Sequence, residues 1–142
     1  MNETKKVKIL FVEDENLLRS LFSDMLGLDT EFQYEISSAA NLTDGLKTVE
    51  SNRPDVVILD LILPLEDGEA APSQEKGMTF IETVKANPSL KDIPIIVFSN
   101  LDDPETKKRA FNLGAESYLV KSESLPQTFL TALKNTLKKS FI

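Results

Sequence analysis

Cysteine is absent from the 142 residues, which excludes disulfides and thiolate-held metals. Histidine is absent too, removing the usual general base and the commonest transition-metal ligand. Any metal held by this chain is therefore a hard, oxygen-liganded ion such as Mg2+ or Ca2+. Basic residues are outnumbered, 16 Lys and Arg against 23 Asp and Glu, and the net charge of −7 is opposite in sign to a nucleic-acid-binding surface. Long hydrophobic runs are missing as well. Residues 1–6 are polar and lead into only a short apolar stretch, neither a signal peptide nor a membrane span. These absences predict a cytoplasmic protein with neither nucleic acid nor membrane as a partner.

What is there suits one domain: 142 residues, 41% of them hydrophobic, can bury one real core but are few for two. The chain is organised around Asp55-Val56-Val57-Ile58-Leu59-Asp60, followed by Leu61-Ile62-Leu63-Pro64. Four consecutive apolar residues without alternation read as a strand buried on both faces of a parallel sheet. The run ends in a carboxylate, and Pro64 enforces a loop soon after. Alone, Asp60 reads as well as a strand cap as it does a reactive group.

Four further strands and five helices follow from pattern. Val7–Val12 is a strand closed by Glu13, Asp14 and Glu15. Leu17, Leu18, Leu21, Phe22, Met25 and Leu26 form one helical stripe, with Gly27 as its stop. Residues 34–39 read as an edge strand. Asn41, with Asp44 three residues on, caps a helix carrying Leu42, Leu46 and Val49. After the central strand, Glu69 to Lys76 shows no apolar period, so the third helix is expected only after Gly77. Ile95–Phe98 is a strand ending at Ser99-Asn100. Asp103-Pro104 starts a helix whose expected inner face is Ala110, Phe111 and Leu113, stopped by Gly114. Ser117–Val120 is a fifth strand, ending in Lys121. A last helix runs from near Ser124 to about Lys139, with Leu125, Phe129, Leu130, Leu133 and Leu137 inward. Strands alternating with helices imply an α/β fold, a parallel sheet with helices on both faces.

With strand order 2-1-3-4-5, the first and third strands flank the switch point where open α/β sheets bind ligands. Glu13, Asp14 and Asp60 then share one crevice, with Ser99 and Lys121 beside them. Two carboxylates about 5 Å apart at an effective dielectric near 20 repel by roughly 3 kcal/mol. Three need a cation or upward-shifted pKa values. Lys121 offsets part of the repulsion, and Mg2+ suits the rest because it binds through one or two carboxylates and accepts phosphate oxygens.

In the order Glu13-Asp14, Asp60 with Leu63-Pro64, Ser99, and Tyr118-Leu119-Val120-Lys121, the sequence resembles the receiver domain of two-component response regulators, over almost its whole length. The resemblance implies a doubly wound (βα)5 flavodoxin-like fold and a single stand-alone receiver over residues 1–142, with a tail at 1–6 and an extended loop at 64–77. It implies that Asp60 accepts a phosphoryl group from a sensor histidine kinase or histidine phosphotransfer protein. Asp14, Asp60 and the Ile62 backbone carbonyl would hold Mg2+, with Glu13 reaching it directly or through water. Lys121 would pair with the phosphoryl oxygens, and Ser99 would hydrogen-bond to one. Ser99 and Tyr118 would switch a downstream-protein surface on the last two helices. No enzymatic activity is implied beyond the domain's own phosphorylation and slow dephosphorylation, since Ile62 and Leu101 offer no group to orient an attacking water.

Three features depart from the family pattern. The loop after Pro64 is expected to be nine residues longer, counting Gly68 to Gly77, and is either a solvated connection or a partner-selecting rim over Asp60. Asn100 stands where a very small residue is preferred, and Ser122 replaces the proline that often follows the lysine. A non-phosphorylated pseudo-receiver acting as a binding module is the alternative function. An FMN site is disfavoured because Glu13-Asp14-Glu15 would repel a phosphate, and an aspartyl phosphatase because Ile62 stands where a second Asp is needed.

Overall fold

The computed structural model describes residues 5–68, 72–124 and 126–140. Five strands alternate with five helices: β1 (Lys5–Val12), α1 (Asn16–Gly27), β2 (Phe32–Ala39), α2 (Leu42–Asn52), β3 (Val56–Leu59), α3 (Gln74–Ala86), β4 (Ile95–Ser99), α4 (Pro104–Leu113), β5 (Ser117–Val120) and α5 (Pro126–Ser140). All strand pairs are parallel, in the order β2-β1-β3-β4-β5. A single 3-10 turn, Lys121–Glu123, joins β5 to α5.

Strand side chains alternate between the two faces, which divides the core in two. Val7, Ile9 and Phe11 of β1, Val56 and Ile58 of β3, and Ile96 and Phe98 of β4 face α1 and α5. Their alternates Leu10, Val12, Val57, Leu59, Ile95 and Val97 face α2, α3 and α4. The unbroken Val56–Leu59 run thus supplies both cores, and all four residues are buried. On the α1/α5 side, Phe22 is the hub of an aromatic cluster. Its ring centroid lies 4.4 Å from Phe129, 5.2 Å from Phe98 and 6.2 Å from Phe11.

The helix ends show how local chemistry fixes the boundaries. At the start of α2, three backbone N–H groups lack helical partners, and each finds one. Leu42 donates to the Pro64 carbonyl, Thr43 to the Leu65 carbonyl, and Asp44 to Asn41 Oδ1 at 2.8 Å. In α4, Asp103 caps the Thr106 N–H, Pro104 takes the first turn, and Gly114 closes the helix at φ 119°.

Several boundaries differ from expectation. β1 reaches back to Lys5, so Lys5 and Lys6, expected in a polar tail over residues 1–6, belong to the strand. Gly27 is the last residue of α1 but not a left-handed stop. The helix closes through Leu28 and Asp29 N–H groups donating to the Met25 and Leu26 carbonyls, i to i+3 bonds that need no positive φ. α5 begins at Pro126. Phe111 is 47% exposed, because the buried stripe of α4 runs through Thr106 and Ala110, and Phe111 lies one residue, about 100°, off it. Leu125 and the side chain of Leu17, both expected inward, lie outside the described residues.

α3 starts at Gln74, so the loop after β3 ends at Ser73 and not at Gly77. The first turn of α3 is polar, and Gly77 lies within it as the closest point to the β3 exit. Its N–H donates to the Leu61 carbonyl at 3.0 Å, and a Cβ there would sit 2.4 Å from Leu61 Cα. Hydrophobic periodicity cannot register a turn that packs by having no side chain.

Phe129 is fully buried in the aromatic cluster. Truncation of such a ring costs about 3–5 kcal/mol. Phe129→Ala is expected to lower unfolding free energy by that amount in urea titration, with the m-value unchanged.

Candidate functional site

Sheet register brings the chemistry-bearing residues to one edge. Val12 pairs with both Ala39 and Leu59. The ladder runs one step further, with Glu13 N–H donating to the Ala39 carbonyl and Asp60 N–H to the Val12 carbonyl, both at 2.9 Å. Glu13 and Asp60 therefore leave adjacent strands side by side, and both are buried, at 3% and 8% exposure. Asp14, one residue later, is exposed. Carboxylate oxygens of Glu13, Asp14 and Asp60 lie within 4.8 Å of one another.

Lys121 comes from the end of β5, across the sheet. Its Nζ lies 2.7 Å from Glu13 Oε2 and 3.0 Å from Asp60 Oδ2, and its side chain is only 12% exposed. The second Asp60 oxygen, Oδ1, accepts the Ile62 N–H at 3.2 Å. Glu13 Oε1 accepts the Glu15 N–H at 3.3 Å. With all three carboxylates ionised, one ammonium leaves two uncompensated negative charges. Burial and the Asp60 charge push the Glu13 carboxyl up to about 7, although the Lys121 ammonium and Glu15 N–H pull the other way. Burial alone would lower the Lys121 pKa, but its bonds and proximity to Glu13 and Asp60 outweigh that and raise it.

Ser99, at the end of β4, is fully buried, and its Oγ accepts the Leu101 N–H at 3.3 Å. Tyr118 is half-buried and donates its hydroxyl proton to the Leu101 carbonyl. Burial chiefly raises the Tyr118 pKa, with the nearby Asp103, Asp60 and Asp102 charges adding to it against a hydrogen bond with Ser99. Asn100, between Ser99 and Leu101, accepts the Ser122 N–H on its Oδ1 at 3.1 Å. No peptide bond among the described residues is cis, so the Lys121–Ser122 link is trans.

This chain matches the response regulator receiver domain model over residues 9–134. The chain belongs to the response regulator receiver family. It is 36% identical over 122 residues to a protein-glutamate methylesterase/protein-glutamine glutaminase of Clostridium acetobutylicum, covering 84% of this chain and 32% of that protein. Among solved structures it is similar to a putative response regulator from Chloroflexus aurantiacus, with a TM-score of 0.75 and 28% identity over 94% of this chain and 99% of that one. The phosphorylated cyanobacterial phytochrome response regulator RcpA is similar too, with a TM-score of 0.73 and 25% identity over 92% of this chain and 91% of that one. The chain spans about half or less of the length of the curated relatives it matches.

Receiver domains generally bind Mg2+, and the donor set of this receiver fits such an ion. The donors are hard carboxylate oxygens, close enough to share one cation, with two negative charges to spare. The fold brings Glu13, Asp14, Asp60 and Lys121 together, with Ser99 at the end of the next strand. Tyr118 sits further out, joined to the site through Leu101 and Ser99.

The loop after β3 was legible only as polar. Its described parts pack on the flanking helices. Leu63 and Ser73 exchange backbone bonds that close its base. Asp67 Oδ1 accepts from Asn41 Nδ2 at 2.7 Å at the start of α2. On the return side, Thr106 Oγ1 of α4 donates to Gln74 Oε1, and Arg109 pairs with both oxygens of Glu75. Residues 69–71 of this loop lie outside the described residues. Asn41 was read only as a helix cap. Its burial at 2% exposure, with a second acid beyond the capping distance, had no sequence signal.

Glu13 links divalent-ion binding to pH. With its folded pKa near 7 against an ordinary 4.5, the folded protein holds this proton more tightly than the unfolded chain. Its contribution to stability is present below pH 4.5 and is lost as pH rises through 7. A divalent ion must displace the same proton. Apparent Mg2+ affinity is therefore expected to rise from pH 6 to about 7.5 and then level off, with proton release measurable by calorimetry in buffers of different ionisation enthalpy. Glu13→Gln should flatten that dependence.

Proposed function

We propose that Asp60 is the phosphoacceptor of a two-component phosphorelay, taking its phosphoryl group from a phosphohistidine on a sensor kinase or histidine phosphotransfer protein. The observation that carries this reading is the buried Asp60 carboxylate at the tip of the central strand, 3.0 Å from the Lys121 ammonium and beside two further acids. The donor histidine lies outside these 142 residues, which contain none.

The residue types suit the reaction. A carboxylate oxygen of Asp60 forms the new bond to phosphorus as the donor's P–N bond breaks, and the freed imidazole takes up its proton from solvent. No general base is needed, because the nucleophile carries no proton to remove. Lys121, already on Asp60, sits where it can pair with phosphoryl oxygens as charge moves onto the site. The Ile62 N–H orients the carboxylate. Asp14, Asp60 and the Ile62 carbonyl are the groups we assign to Mg2+, with Glu13 behind them. Once bound, the ion supplies electrostatic neutralisation of the transferring oxygens.

Signal output follows from Ser99 and Tyr118. A phosphoryl oxygen accepting the Ser99 hydroxyl proton would draw Ser99 Oγ inward, away from the Leu101 N–H that donates to it, and so shift Leu101, whose carbonyl holds Tyr118. Loss of that anchor frees the aromatic ring and the start of α4, changing the face made by α4, β5 and α5, where Phe111 already stands exposed. A downstream protein reading that face completes the relay. Likeness to the phosphorylated RcpA receiver supports the reading.

Incubation with Mg2+ and acetyl phosphate is expected to give one alkali-labile phosphate per chain on the wild type and none on Asp60→Asn. The label should decay slowly after donor removal, because the apolar side chains of Ile62 and Leu101 cannot orient water. An unlabelled wild type would contradict the assignment and leave a binding module without phosphorylation.

A further inference from the structure

The β4–α4 connection is tied to β5 at two points, and these bracket Lys121. Three residues before the lysine, the Tyr118 hydroxyl donates to the Leu101 carbonyl. One residue after it, the Ser122 N–H donates to Asn100 Oδ1 at 3.1 Å. The second tie needs a side-chain acceptor at 100 and any residue but proline at 122. Proline at 122 would have no N–H to donate, and alanine at 100 would have no acceptor. The two positions form one complementary pair across neighbouring strands.

The Ser122 amide belongs to the peptide plane that follows Lys121, so fixing it fixes the direction in which the Lys121 side chain leaves the backbone. That direction matters because the stem is long and flexible, and its ammonium must reach Glu13 and Asp60 on two other strands. The 3-10 turn after β5 supplies little restraint of its own. Its closing bond, from the Ser124 N–H to the Lys121 carbonyl, is 3.4 Å long. Asn100 provides the shorter one.

We propose that Asn100 is a positioning residue for phosphoryl transfer, holding the Lys121 ammonium on Asp60 through its bond to the Ser122 N–H. This rests on Asp60 being the phosphoacceptor. The Asn100 side chain accepts from the Ser122 N–H and is not one of the groups in the acid cluster, so it acts on the geometry of the lysine and leaves the carboxylates in place.

The test is a double-mutant cycle on the initial rate of labelling by acetyl phosphate, with Mg2+ affinity measured in parallel. Asn100→Ala and Ser122→Pro each lose the same hydrogen bond and should each slow labelling by roughly three- to tenfold, the range of one hydrogen bond. The double variant should be no slower than the slower single one. Mg2+ affinity should not fall in Asn100→Ala, whereas a local loss of structure at the sheet edge would weaken it. A wild-type rate in Asn100→Ala, multiplicative losses in the double variant, or weakened Mg2+ binding in Asn100→Ala would each overturn the proposal. A wild type that takes no label would overturn the phosphoacceptor reading and this proposal with it. A labelled wild type matched by Asn100→Ala would overturn this proposal alone.

Discussion

The structure depends on one electrostatic imbalance: three carboxylates at the edge of a parallel sheet, served by a single ammonium. At the observed spacing each pair of ionised acids repels by about 3 kcal/mol at an effective dielectric near 20. Lys121 bridges the two buried acids and cannot neutralise all three. Burial first, and then the Asp60 charge, raise the Glu13 pKa, so the deficit shows there only in part. Attraction for a divalent ion, and then for a phosphoryl group between ion and lysine, is its other expression. A site left short of positive charge is ready to accept an ion and a phosphoryl group together.

The fold serves that imbalance by register. Parallel pairing puts the carboxyl ends of β1, β3, β4 and β5 on one edge, and the doubly wound order makes β1 and β3 neighbours there. Two fully packed cores hold the strands in place, so the cost of crowding like charges is offset by buried Val, Ile, Leu and Phe far from the site. Gly77 is part of the same support. Its missing side chain lets α3 approach the backbone of Leu61, the residue next to Asp60.

Much of this was legible in the sequence, for identifiable reasons. The Val56–Leu59 run, the Asn41 and Asp103-Pro104 caps and the Gly114 stop are local signals, and local chemistry decided them. The strand-end residues Glu13, Asp60, Ser99 and Lys121 were legible because strand polarity alone sends them to one edge. Features built by contacts distant in sequence were not. Asp67 on Asn41, Glu75 on Arg109 and Ser122 on Asn100 join residues 22 to 34 positions apart, and none of the partners announces the other. Phe111 was misread because an apolar residue beside a buried stripe looks inward until the helix phase is known. The start of α3 was misread because its first turn is polar and its contact residue is glycine.

The most direct test of this account is Mg2+ binding to Lys121→Met at pH 8, where Glu13 is largely ionised. If the ammonium and the divalent ion share one negatively charged site, removing the ammonium should tighten Mg2+ binding about tenfold, through relief of cation–cation repulsion, even as labelling by acetyl phosphate slows. Unchanged or weaker Mg2+ binding in Lys121→Met would show that the two cations do not answer to the same carboxylates, and the account would fail.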